Sequence, residues 1–399
     1  MKRLRIVVVS SLFPSSVRKQ SGLFVRERMF RATQFADIEV VSPVPWFPGQ
    51  GLISLFKPNY RPMPAELEIQ NGIKVHYPRF FSIPGILRKL DGQMMAGAIY
   101  KVLKKLDAEN PIDVIDSHFT YPDGLAASQA GQKLGKPVTI TLRGTELSHS
   151  LDQDKKPLLL QAWQQADHMI CVSESLKQLA VGLGADERKF TVVGNGVDTQ
   201  KFNPLPKLDA RKDLNISADA KVMITVGGLV KRKGFHRVIA CMPELLQIHP
   251  NLVYLIVGGA SAEGNIEQEL RQQASALGLS DRVKFLGSLP PEQLSVPLSA
   301  ADVFVLSTAN EGWANVILES MACGTPVVAT DVGGNKEVIA NPQVGTIVPF
   351  DDHEKLQHAI ADALTKEWDE VVIKDYAQAN HWDNRMQKLR DIFFTLQQG

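Results

Sequence analysis

The sequence predicts an α/β protein made of two Rossmann-like domains in series, each built on a parallel sheet. Three observations carry this. Short runs rich in β-branched residues alternate with longer amphipathic stretches, the pattern of βαβ units. The pattern occurs twice along the chain. The length, 399 residues, also exceeds what one hydrophobic core normally serves.

The first series of predicted strands covers residues 5–9, 38–42, 114–116, 138–142, 169–172 and 190–193. The second covers 222–226, 252–257, 283–286, 303–306, 327–329 and 346–348. Between them, Pro204 and Pro206 interrupt residues 202–207, where neither a helix nor a central strand continues. The expected domains are therefore 1–203 and 204–375. A final stretch, 376–399, carries Met386, Leu389, Ile392, Phe393 and Leu396 at helical spacing. Its helices are expected to pack back on the amino-terminal domain.

Hydrophobic residues are 44% of the chain and charged residues 22%, the balance of a folded globular protein. The apolar run Ile6-Val7-Val8-Val9 is too short to span a bilayer and lacks the cleavage site of a secretory signal, so it reads as a first strand. Cys171, Cys241 and Cys323 are scattered and lack metal-ligand spacing. A reducing cytoplasm fits them. Net charge is +1, but residues 1–205 hold 26 Lys and Arg against 19 Asp and Glu, and residues 206–399 hold 18 against 24. A basic amino-terminal half suits anionic lipid or an anionic acceptor, and a solvated lysine-rich surface explains it as well. Nucleic acid is not an expected partner, because no dense basic stripe with aromatics is present. The stretches 43–64 and 80–87 are expected to be loops. They set Trp46, Phe47, Leu52, Ile53, Leu55, Phe56, Phe81 and Ile86 beside Lys57, Arg61, Arg88 and Lys89, which suits peripheral contact with the cytosolic membrane face.

The most informative segment runs from Glu311 through Gly312, Asn315, Val316 and Glu319 to Gly324-Thr325-Pro326. It follows a predicted strand, and its two carboxylates are eight residues apart. A helix starting near Ala314 directs free amides and its positive end toward the carboxyl edge of the sheet, where open α/β sheets bind ligands and a phosphate is well received. Each carboxylate can accept two hydroxyl hydrogen bonds as a fork. Capping explains either carboxylate alone, but not the pair with the helix-ending Gly324.

This spacing, followed by Met-Ala-Cys-Gly-Thr-Pro-Val-Val-Ala-Thr-Asp-Val-Gly-Gly, resembles the retaining glycosyltransferases of family 4, which have the GT-B fold. Residues 226–234 (Val-Gly-Gly-Leu-Val-Lys-Arg-Lys-Gly), 281–287 (Asp-Arg-Val-Lys-Phe-Leu-Gly), 301–305 and 195–198 fall in the same order as in that family. The resemblance covers nearly the whole chain and implies two Rossmann-like domains whose parallel sheets face a central cleft. It implies transfer of a sugar from a nucleoside diphosphate sugar, with a UDP-sugar favoured, to an acceptor hydroxyl with retention. The acceptor is expected to be a sugar or lipid-linked molecule of surface polysaccharide or glycolipid biosynthesis.

By the same resemblance, Glu319 binds the donor ribose and Glu311 the transferred sugar, with Asn315 and Val316 beside them at the helix start. Lys233 neutralises the diphosphate. No cofactor and no metal are expected, since no Asp-x-Asp motif is present and fixed positive charge can hold the leaving group. Where the family commonly has arginine after the first glycine, this chain has Gly228; Arg232 or Lys231 is the candidate replacement. In the first half, His118 resembles the strand-end histidine that contacts the donor sugar, and Gly22 the glycine of a flexible loop near donor phosphate or acceptor. Arg143 stands where relatives carry histidine and faces either a phosphate or an anionic acceptor. Closure about residues 202–207 is expected to bring His118 and the Gly22 loop against Glu311 and Lys233. Two rivals share these features: a nucleotide-sugar epimerase and a noncatalytic sugar-nucleotide-binding module. A dinucleotide-dependent dehydrogenase is disfavoured, since Ser10-Ser11-Leu12-Phe13-Pro14 follows the first strand in place of Gly-x-Gly-x-x-Gly.

Overall fold

The computed structural model describes residues 3–56, 60–83, 90–261 and 263–398. The chain divides into two compact units, Met1–Gly194 with Arg385–Gly399, and Asn195–Asn384. The expected boundary at 203/204 lies inside the second unit, and the second junction falls within the last helix, Trp382–Gln398.

The first unit contains strands β1 (Leu4–Val9), β2 (Ala36–Val41), β3 (Val44–Trp46), β4 (Leu67–Gln70), β5 (Ile73–His76), β6 (Arg79–Phe81), β7 (Val114–His118), β8 (Val138–Leu142), β9 (His168–Cys171) and β10 (Phe190–Val192). Its large sheet has the order β10-β9-β8-β7-β1-β2-β5-β4, parallel except for the antiparallel edge strand β4. Every residue of β1, β7 and β8 is buried, as strands covered on both faces must be. Val7, Val9 and Ile115 pack with Ile99 and Leu103 of the helix Asp91–Glu109 and with Ala126 and Ala130 of the helix Leu125–Leu134.

The second unit contains β11 (Lys221–Val226), β12 (Leu252–Val257), β13 (Val283–Gly287), β14 (Val303–Leu306), β15 (Val327–Thr330) and β16 (Gly345–Val348). All are parallel, in the order β13-β12-β11-β14-β15-β16. Alternation along the strands feeds two cores. Val222, Ile224 and Leu255 face one layer of helices, and Met223, Tyr254 and Ile256 face the other. The sheet is thus doubly wound, and its order reverses between β11 and β14.

Strands β3 to β6 depart from the expected pattern. The stretch 43–64, expected as loop, holds β3 and the helix Gln50–Phe56, and β3 pairs with β6 in a separate parallel ribbon. Strands β4 and β5 form a hairpin whose turn residues, Asn71 and Gly72, have φ of 50° and 80°. Asn-Gly suits such a turn because both positions need positive φ. Lys57, Ile86, Arg88 and Lys89, and the side chain of Leu55, lie outside the described residues.

The helix Lys207–Asp213 is anchored to the second sheet by one buried arginine. Arg211 Nη2 lies 2.8 Å from Asp302 Oδ2, its Nε donates to the Ala300 carbonyl (3.1 Å), and the same aspartate oxygen accepts from the Val222 amide (2.8 Å). Removing Arg211 leaves Asp302 with the partly exposed Lys207 (Nζ–Oδ1 3.3 Å) in place of a buried cationic partner. Arg211→Met should therefore lower unfolding free energy by about 3 kcal/mol, read from urea denaturation of the full chain. A change within experimental error would contradict this anchoring role.

Candidate donor and acceptor sites

In the second unit the two loops leaving the sheet at its strand-order reversal are fastened together. After β11 the chain passes Gly227 and Gly228, makes a single tight turn at Lys231–Lys233, and enters the helix Phe235–Ile248 through Gly234. Gly234 has φ +80°, and a Cβ there would lie 1.9 Å from the Ser307 carbonyl oxygen at the end of the neighbouring β14, so only glycine fits. Ser307 Oγ donates to the Gly234 carbonyl (2.8 Å), and the Ala309 amide to the Arg232 carbonyl (2.7 Å).

This fastening brings three of the expected site residues together. Lys233 Nζ donates to Glu311 Oε1, and Arg232 Nη1 lies 3.2 Å from the same oxygen. Thr308 Oγ1 donates to it at 3.3 Å. The Lys233 and Glu311 side chains are only 14% and 11% exposed, so their charges are weakly screened. Arg232 also forms a two-point fork on Glu263, with Nε–Oε2 and Nη2–Oε1 both 2.7 Å. That pairing raises the arginine's pKa and lowers the carboxylate's.

The helix following Glu311 runs Asn315–Ala322 with Ala314 as its cap residue, as the sequence suggests. It carries Asn315, Val316 and, one turn in, the half-buried Glu319. Asn315 is oriented by Asn195, whose Nδ2 donates to its Oδ1 (2.8 Å). The helix ends at Gly324, φ +81°, before β15.

In the first unit the strand order reverses between β1 and β7, and a second group of expected residues lies at that edge. His118 ends β7 and is fully buried. Arg143 Nε donates to its Nδ1 (3.0 Å), and its Nε2 lies 3.3 Å from Asp116 Oδ2. The imidazole is therefore the neutral tautomer protonated on Nε2. Burial, reinforced by the Arg143 charge, lowers its pKa to about 4. Gly22 opens the helix Leu23–Arg31 with φ +65°; a Cβ there would lie 2.0 Å from the Leu12 carbonyl oxygen. That helix places Phe24 under Arg143, with the guanidinium carbon 5.1 Å from the ring centre. It also buries Arg28, whose pKa falls to about 10 through desolvation, opposed by Asp116. Asp123 binds the Ser11 amide and hydroxyl, and burial lifts its pKa to about 7.

Arg28, Asp116, Asp123 and Glu263 also belong to these groups, though none is among the residues expected from sequence. Asp116 and Asp123 lie two residues before and five residues after His118 and were legible from that proximity; Arg28 and Glu263 carry no spacing signal. Among the described residues no group of three or more His, Cys, Asp or Glu is arranged to hold a metal, and no helix is long and apolar enough to cross a membrane.

Since His118 is deprotonated in the folded chain below its ordinary pKa, unfolding takes up a proton between the two values. Its contribution to stability is present at neutral pH and is lost as pH falls from about 6.5 to about 4. His118→Gln should flatten the stability difference between pH 7 and pH 4.5 relative to the parent, measured by denaturant unfolding at each pH. An unchanged difference would show that the imidazole titrates normally.

Residues 206–380 match the profile of glycosyl transferases group 1, and residues 53–201 that of glycosyltransferase family 4. The chain is 27% identical over 369 residues to a Bacillus subtilis protein named for teichuronic acid biosynthesis, the glycosyltransferase TuaC, covering 91% of this chain and 89% of that one. It is 30% identical over 319 residues to the D-inositol 3-phosphate glycosyltransferase of Stackebrandtia nassauensis, covering 76% and 72%. Anabaena HepE, solved in complex with UDP, superposes with a TM-score of 0.73 at 20% identity over 98% of this chain and 100% of that one, a likeness of fold. With its two Rossmann-like sheets of GT-B type, the chain belongs to the group 1 glycosyltransferases, family 4, and is a retaining glycosyltransferase.

Proposed function

We propose that the chain transfers a sugar from a nucleoside diphosphate sugar, with UDP as the favoured nucleotide, to a hydroxyl of a sugar or lipid-linked acceptor in surface polysaccharide or glycolipid synthesis. The observation that carries this reading is the Lys233–Arg232–Glu311 cluster at the β11/β14 reversal. It sets fixed positive charge beside a carboxylate at the edge where doubly wound sheets receive ligands. The UDP bound to Anabaena HepE and the teichuronic acid role in the name of TuaC support the donor and the product class.

In this mechanism Lys233 takes the developing charge of the departing diphosphate, a role that preorganised cations perform without reorganisation. Glu311 exchanges its ammonium partner for hydroxyls of the transferred sugar, and Glu319 accepts from the ribose hydroxyls, with Asn315 and Val316 beside them. The leaving phosphate takes the acceptor proton on the face it departs from, which retains configuration and needs no protein nucleophile. His118 accepts from a sugar hydroxyl through Nδ1 in exchange for Arg143, and Arg143 receives a phosphate or acceptor anion. The Gly22 turn supports the helix that carries Phe24. No metal is required. An epimerase of similar architecture would release no free nucleoside diphosphate upon addition of acceptor, and a binding module would show no turnover.

Calorimetry with UDP-, GDP- and ADP-sugars in chelator-treated buffer tests the donor assignment. One nucleotide series should bind, and Glu319→Ala should weaken it about 10- to 100-fold, the loss of two hydrogen bonds worth about 1 kcal/mol each. Binding that requires added divalent metal, or that ignores the substitution, would overturn it.

We also propose peripheral contact of the first unit with the cytosolic membrane face. Leu52 and Phe56, one turn apart on the helix Gln50–Phe56, are 67% and 88% exposed. The chain should sediment with vesicles containing anionic lipid, and Leu52→Ser with Phe56→Ser should abolish this. Equal sedimentation of the parent and the double variant would contradict the contact.

A further inference from the structure

The loop after β12 stands where the arginine expected at position 228 would extend. A Cβ on Gly228 would lie 3.2 Å from Ser261 Cβ and 3.4 Å from its Oγ, closer than most packed side chains come. The loop is itself folded tightly. Ser261 and Gly264 exchange backbone hydrogen bonds of 2.9 and 3.1 Å, and the Glu263 amide donates to Ser261 Oγ at 3.1 Å. The same loop supplies Glu263, whose carboxylate forks onto Arg232. A side chain at 228 would thus press on the segment that engages the nearest alternative cation.

Arg232 is heavily committed. Its Nε and Nη2 face Glu263, and its Nη1 serves the Asn310 carbonyl and Glu311, both at 3.2 Å. The fork that a guanidinium offers a phosphate is the face that Glu263 occupies. Arg232 lies next to Lys233 in the chain and shares Glu311 with it, so both cations serve one anionic position.

We propose that Glu263 gates the donor site: its carboxylate holds Arg232 as a stand-in for a phosphate, and the donor diphosphate binds by taking that fork. Arg232 then makes the contact that Gly228 cannot, and Glu263 sets how readily it does so. Glu263 is a positioning residue with no contact to the reacting atoms. The inference rests on the donor-site reading above. The gate is affordable because the exchange is between unequal partners: a diphosphate carries more charge than one carboxylate, and the Arg232–Glu263 pair is 36% and 52% exposed.

The test is calorimetry with UDP, GDP and ADP alone on four full-length proteins: the parent, Glu263→Gln, Arg232→Met and the double variant. Glu263 is exposed, so its substitution leaves the fold intact, and circular dichroism checks this. Removing an exposed competing pair should tighten binding of the preferred diphosphate about two- to fivefold. Arg232→Met should weaken it, and adding Glu263→Gln to Arg232→Met should change nothing further, since the effect passes through the guanidinium. Unchanged or weaker binding by Glu263→Gln in the Arg232 background overturns the gate. So does an equal gain in the Arg232→Met background, which would mark a general effect of charge. Failure of the parent to bind any of the three diphosphates would instead overturn the donor-site reading itself.

Discussion

The strand-order reversal between β11 and β14 is the constraint on which the proposed donor site depends. Neighbouring strands in a parallel sheet ordinarily send their connections to the same side, but here they diverge, leaving a crevice at the carboxyl edge. The chain crosses that crevice at the Gly234–Ser307 contact, where backbone approaches backbone too closely for any side chain. Lys233 immediately precedes this contact, and Glu311 follows it on the opposite loop. Their pairing is a consequence of the topology, and the chemistry proposed for the site follows from the pairing.

The two units solve the electrostatic problem differently. In the second, Lys233 and Arg232 face Glu311 and Glu263 in ion pairs, and the proposed chemistry exchanges those partners for the groups of a ligand. In the first, His118 is buried deeply enough to stay neutral and is held between Arg143 and Asp116. Desolvation dominates there, and the imidazole offers hydrogen-bonding capacity without a charge. A neutral ring adds no further positive charge to that edge of the sheet, which suits the hydrogen-bonding role proposed for it.

Much of this was legible in the sequence, for identifiable reasons. Strands buried on both faces are runs of apolar and β-branched residues, and β8, β12 and β14 fall on the residues expected. The helix at Asn315 was visible because a turn, two spaced carboxylates and a terminating glycine all agreed. Strands β3 to β6 were not recognised. They are three or four residues long and half exposed, and all but β5 lie at an edge, so their hydrophobic pattern is diluted, although Asn71-Gly72 marked the hairpin. Glu263 was invisible for a different reason. Its role depends on the loop after β12 folding back over Gly228, a tertiary contact that no local spacing encodes. Arg28 likewise reads as an ordinary helix-surface charge, and only the fold turns it inward against Asp116.

The central claim is that the β11/β14 crevice receives the diphosphate of the donor, and a crystal structure of the full chain with its preferred nucleoside diphosphate tests it most directly. The account predicts phosphate oxygens within hydrogen-bonding distance of Lys233 Nζ, the Arg232 fork released from Glu263, and the ribose hydroxyls on Glu319. A nucleotide seated away from these residues, with Lys233 still closed on Glu311, would contradict it.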